Sequence, residues 1–209
     1  MGKRKNILST ALQLFGQKGY EATSVRDIAA GAGVNIAMIN YYFGSKEKLL
    51  ESVVEYKTSG IQLVFAELEK NPSITQIEKI DTIIDNYIQR MFAGPQFHHL
   101  LHRELSLENR PQMKEAIIEI LFRNVVSIKA ILQKGIASGE FKAVDVELTI
   151  TTLIGSISYL LTSEGMCRKL LKKNKEFNPF QNKKLKERLS EHLKQLMRSH
   201  LLINKSVKR

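Results

Sequence analysis

The densest chemistry in this 209-residue sequence lies between Thr23 and Leu50. Within it, Tyr41, Tyr42 and Lys46 crowd around Ser45, a residue type that caps the start of a helix. Phenolic hydroxyls, an ammonium group and the free N–H groups of a new helix are the donors that phosphate oxygens require. Just upstream, an inward Ile39 leaves Ile36, Ala37, Met38, Asn40 and Tyr41 near the exposed side of one short helix.

Other reactive groups form no comparable set. His98 and His102 stand four apart on one helical face, a spacing that suits two metal ligands. No carboxylate occupies the intervening turn, so these histidines read as surface groups or as hydrogen-bond partners inside a pocket. No metal or cofactor is expected. The sequence shows no Ser/His/Asp or Cys/His arrangement, no P-loop and no prominent carboxylate pair, so an enzyme is not expected. Cys167 is the only cysteine, which excludes an internal disulfide and fits a reducing compartment.

The elements that position these groups read as helices almost throughout, because apolar residues recur at helical spacing. The first spans about 3–18, with Ile7, Leu8, Ala11, Leu12 and Phe15 on one face and Gly19 as its stop. Thr23 or Ser24 caps a second, which presents Val25, Ile28, Ala29 and Ala32 inward and ends near Gly33. Asn35 caps a third. Ser45 caps a fourth that runs to about Lys70, where Asn71-Pro72 stops it. Five further helices are predicted at about 74–93, 97–108, 111–138, 145–167 and 181–203. The expected fold is all-α: a three-helix head over residues 1–46 and a bundle of about six helices over 47–209.

A helix-turn-helix needs a small residue where its helices cross and a permissive turn; Ala29 and Gly33 supply them. The sequence here resembles the TetR/AcrR family of bacterial transcription regulators. The matching residues are Leu14-Phe15, Gly19-Tyr20, Thr23, Ile28-Ala29, Gly33-Val34, Ile39, Tyr42-Phe43, Ser45-Lys46-Glu47 and Leu49. The resemblance is specific over residues 4–50 and architectural beyond. It implies a homodimer whose two heads enter successive major grooves of a palindromic operator in double-stranded DNA. It further implies that Thr23 and Ser24 contact phosphate and that Arg26 reaches a base or phosphate. Ile36, Ala37, Met38 and Asn40 fall where the family reads base edges; Tyr41, Tyr42 and Lys46 fall where it grips the backbone, and Asn35 joins this contact set. A tyrosine is usual at the position of Asn40, but asparagine can pair bidentately with adenine.

For residues 47–209 the same resemblance implies a domain for ligand binding and dimerisation. Candidate pocket residues are Tyr87, Met91, Phe92, Phe97, His98, His102, Met113, Phe122 and Tyr159, a set that suits an apolar or amphipathic small-molecule effector. Family likeness puts a dimer interface on the last two helices, with Ile154, Ser158, Leu161, Leu189, Leu193, Leu196 and Met197 as candidates. Plain core packing is the alternative for both sets.

Charge alone points elsewhere. The net charge is +11, yet residues 1–50 hold seven basic and three acidic side chains and residues 51–165 hold 11 and 15. Residues 166–209 hold 14 and three, so the excess lies in the last fifth of the chain. The apolar charge-free run Leu148–Ser163 contains seven Ser/Thr, so no membrane segment is expected and the location is read as cytoplasmic. The resulting expectation is a ligand-responsive repressor. The alternatives are a helical small-molecule-binding protein and a DNA-binding protein without effector control.

Overall fold

The computed structural model describes residues 2–203, apart from the side chains of Leu160 and Leu161. Among these residues there are ten α-helices: α1 (Lys3–Lys18), α2 (Val25–Ala32), α3 (Ile36–Phe43), α4 (Lys46–Lys70), α5 (Gln76–Ala93), α6 (Pro95–Leu105), α7 (Pro111–Ala137), α8 (Val146–Thr162), α9 (Glu164–Leu170) and α10 (Lys183–Leu201). No strand occurs among them; Phe141 and Leu202 form an isolated antiparallel bridge.

The chain divides into two compact units, Met1–Gln62 with Gly94–Arg123, and Leu63–Ala93 with Asn124–Arg209. The expected boundary after residue 46 does not coincide with this division. Leu49, Leu50, Val53 and Val54 of α4 are fully buried in the same core as Phe15, Ile28 and Ile39, and Phe97, Leu100, Met113 and Ile117 join them. A head of three short helices offers too little apolar surface by itself, so parts of α4, α6 and α7 complete it.

Local signals set the short helices. Ser24 and Asp27 form a reciprocal capping box at the start of α2. Its end is a left-handed Gly33, φ +62°, whose neighbour Val34 donates to the Ala29 carbonyl at 3.0 Å. This C-cap reverses the chain so that Asn35 can cap α3 through the Ala37 N–H.

In the second unit, α5 and α10 run antiparallel along a charged seam. Asp85 accepts from Ser190 and Lys194, and Asp81 pairs with Arg198 one turn away. Glu140 reaches back to cap α5, accepting from the N–H groups of Gln76 and Ile77 at 2.9 and 2.8 Å. The single helix expected over 145–167 is instead two. Ser163, with φ −126° and ψ 46°, leaves the helical region. The preceding hydroxyls bond to their own backbone, Ser156 to the Thr152 carbonyl and Thr162 to that of Ser158.

Candidate nucleic-acid interface

The geometry of α3 divides its eight residues sharply. Ile39 and Phe43 are buried, whereas Ile36, Ala37, Asn40 and Tyr41 form one continuous exposed face. Tyr41 is 83% exposed and stands edge-on to Tyr42, with ring centroids 5.3 Å apart. Arg26 is exposed on α2. Ser24 is also exposed, but its hydroxyl already donates to Asp27 and accepts from the Asp27 N–H. The Ser24 backbone N–H, which donates to Asp27 at 2.9 Å, and then the Ser24 hydroxyl hold the Asp27 carboxyl below its ordinary range. Asn35 spends its carbonyl oxygen on the α3 cap.

This geometry corrects one expected contact, Thr23, and constrains two others, Lys46 and Met38. Thr23 is 0% exposed, and its hydroxyl donates to the carbonyls of Gly19 at 2.6 Å and Leu14 at 3.2 Å. It ties down the end of α1 and presents no donor to a phosphate. Lys46 Nζ donates to the carbonyls of Tyr20 and Thr23, each at 3.0 Å, and lies 4.2 Å from the Tyr20 ring centroid. Two of its three protons are thus spent within the protein. Met38 is partly buried and packs against the head core, so only part of it remains for contact.

Tyr20 is the centre of a cluster that the sequence did not reveal. Its ring is approached by both Lys46 and the Arg110 guanidinium, the latter 4.4 Å from the ring centroid, and its hydroxyl donates to Glu47 at 3.0 Å. Burial, and then the bond to Glu47, push the phenol well above its ordinary pKa. The Glu47 carboxyl is lowered, chiefly by its own backbone N–H and then by the Ser45 hydroxyl. Arg110 pairs with Glu21 at 2.7 Å and with the buried Glu104 at 2.8 Å, while Arg103 donates to the Phe15 carbonyl at 2.9 Å. Charge pairing thereby locks the α1–α2 loop to α4, α6 and the segment before α7. The residues lie up to 90 positions apart, so no sequence spacing announces them.

The nine candidate pocket residues are not gathered in one unit. Tyr87, Met91, Phe92 and Tyr159 belong to the second unit; Phe97, His98, His102, Met113 and Phe122 belong to the first. Phe97 and Met113 are packed in the head core and Met91 is fully buried, which makes them core residues in this structure. His102, Phe122 and Tyr159 are exposed. Tyr87 is half-buried; burial drives its hydroxyl up to about 12, against a hydrogen bond with the buried Asn124. His98 is pushed down to about 4, mainly by burial and then by the charge of Lys57. An open groove of about 440 Å³ between α5 and α10, lined by Asp85, Gln89, Lys186 and Glu191 among others, uses none of the nine.

The interface candidates also separate. Leu193 and Met197 are 1% and 2% exposed and belong to the core of their own unit, a correction. Leu196 is exposed, and Ile154, Ser158 and Leu189 are half-buried. The side chain of Leu161 lies outside the described set. Leu148, Thr152, Gly155 and Tyr159 add an exposed stripe along α8. Cys167 is buried, which raises its thiol pKa. No group of three His, Cys, Asp or Glu among the described residues is placed to hold a metal. No single described helix is long and apolar enough to cross a membrane.

The exposed α3 face, braced by α2 and a left-handed turn, defines a helix-turn-helix regulator, and comparison with known proteins gives the family. Residues 7–53 match the model of "Bacterial regulatory proteins, tetR family". The repressor NicS of Pseudomonas putida is 31% identical over 169 residues, covering 77% of this chain and 76% of NicS. The probable regulator YttP of Bacillus subtilis is 31% identical over 139 residues, covering 66% of this chain and 64% of YttP. Among solved structures, Bacillus subtilis FadR in complex with stearoyl-CoA superposes with a TM-score of 0.72 at 25% identity, covering 90% of this chain and 96% of FadR. This chain belongs to the TetR family and is a DNA-binding transcription regulator.

Proposed function

We propose that this regulator is a ligand-responsive repressor that binds a palindromic operator as a homodimer in the cytoplasm and carries no catalysis of its own. The observation that supports it most is the α3 face of Ile36, Ala37, Asn40 and Tyr41, exposed while Ile39 and Phe43 fix the helix from behind. Asn40 and Arg26 supply hydrogen bonds to base edges, and Ile36 and Ala37 supply apolar contact. Ser24, Asn35, Tyr41 and Tyr42 sit at the backbone on either side.

The effector is apolar or amphipathic, and the likeness to FadR, solved with stearoyl-CoA, favours a long-chain acyl-coenzyme A thioester. Effector binding changes operator affinity by a coupling of ~1–3 kcal/mol, or about 5–150-fold. Selection of bound sequences from a random duplex pool should yield a palindrome. Titration of stearoyl-CoA against that labelled duplex should then weaken binding. Tight stearoyl-CoA binding with unchanged operator affinity would refute the repressor-release reading.

A further inference from the structure

The first turn of α1 carries Lys3, Arg4 and Lys5, all exposed, with no acidic residue among them and no side-chain cap at Gly2. For stability this is the wrong sign. The positive end of a helix dipole disfavours cations, and three in one turn also repel each other. Three such cations in one turn suit an anionic partner.

Two contacts fix where that turn sits. Asn6 donates from Nδ2 to the Ala32 carbonyl at 2.8 Å, pinning α1 to the end of α2. The Arg4 guanidinium lies over the Phe43 ring, 5.5 Å from its centroid, pinning the same turn to the end of α3. Phe43 leads on to Tyr42, with centroids 6.1 Å apart, and Tyr42 to Tyr41. A continuous run of cation and aromatic rings therefore joins the start of α1 to the exposed end of the reading helix.

We propose that Lys3, Arg4 and Lys5 form a further DNA contact, gripping backbone phosphates beside the half-site that α3 reads. The side chains make it, and the backbone N–H groups of the helix start play no part. Arg4 is the most constrained of the three, since stacking on Phe43 orders its guanidinium before DNA arrives and lowers the entropy lost on contact. Phosphate contacts carry no sequence information, so the triad strengthens binding to every duplex alike. It also adds donors beside Lys46, two of whose three protons are taken by Tyr20 and Thr23.

The inference rests on the repressor reading only in that duplex DNA is the partner. The test compares the native protein with the triple variant Lys3→Gln/Arg4→Gln/Lys5→Gln, and with Arg4→Lys, on the selected palindrome and on an unrelated duplex across a salt series. The triple variant should bind both at least tenfold more weakly, with a plot of log affinity against log salt shallower by about 2 or more, one contact per head at the least. Its thermal midpoint should hold or rise, because unfavourable cations have been removed from the helix start. Arg4→Lys should keep the slope while losing part of the affinity. An unchanged slope in the triple variant, with the native protein binding normally, overturns this inference alone. Failure of the native protein to bind any duplex overturns both readings.

Discussion

Thr23 and Lys46 carry the right atoms for phosphate, yet Thr23 spends its hydroxyl proton and Lys46 two of its three protons inside the protein. Residue type and position pointed to DNA, but which acceptor a donor finds depends on what the fold brings near it. For Lys46 that is a carbonyl on each side of a loop more than twenty residues upstream. Asn40 and Tyr41 were legible for the opposite reason, since helical periodicity alone places them away from Ile39. Lys46→Ala separates the two roles. A phosphate ligand would cost about 0.9 in salt slope for each lysine lost and leave stability untouched. The contacts predict the reverse: a loss of about 1–3 kcal/mol in urea denaturation, from two charge-assisted bonds and a ring contact, with the slope retained. A lowered slope at native stability would restore the phosphate role to Lys46.

Helix boundaries marked by Gly, Pro or a capping side chain were readable, as at Ser24, Gly33, Asn35 and Pro111. The break at Ser163 was not, since Ser and Thr occur throughout α8 and only their bonding shows where the ladder yields. The same limit applies to Gly135, which reads as a weak spot in α7. Replacing it by alanine gains up to about 1 kcal/mol of helix propensity. An added Cβ, however, would stand 2.2 Å from Cδ2 of Phe141 and 2.8 Å from its Cγ. Phe141 is buried and held by a bond from its N–H to the Gly135 carbonyl and by its bridge to Leu202. Overpacking of a fixed ring costs about 1–3 kcal/mol, so the clash should win. Gly135→Ala is expected to lower the denaturation midpoint. A raised midpoint would show that the 135–141 turn relaxes freely.

For the whole molecule, charge and architecture give different answers, and architecture decides. Residues 1–50 carry only +4, and most of the excess lies beyond residue 165, so net charge describes general attraction to polyanions rather than the reading surface. Two heads must be held at fixed spacing to read a palindrome, which makes the proposed homodimer a functional requirement. The α8 stripe of Leu148, Thr152, Gly155 and Tyr159 is an exposed surface of the second unit that suits self-association, and Leu196 adds a further exposed leucine on α10. Gly155 allows a clean probe, because a Cβ there meets nothing within 4 Å and the protomer should accept a large side chain. Gly155→Arg would place a guanidinium in the middle of a close helix–helix contact, where an unpaired charge is strongly unfavourable. The variant should keep native far-ultraviolet circular dichroism, sediment as a monomer at concentrations where the native chain is a dimer, and lose palindrome binding while keeping weak, salt-sensitive affinity for unrelated duplexes. A variant that still sediments as a dimer and still binds the palindrome would move the interface off this face of α8.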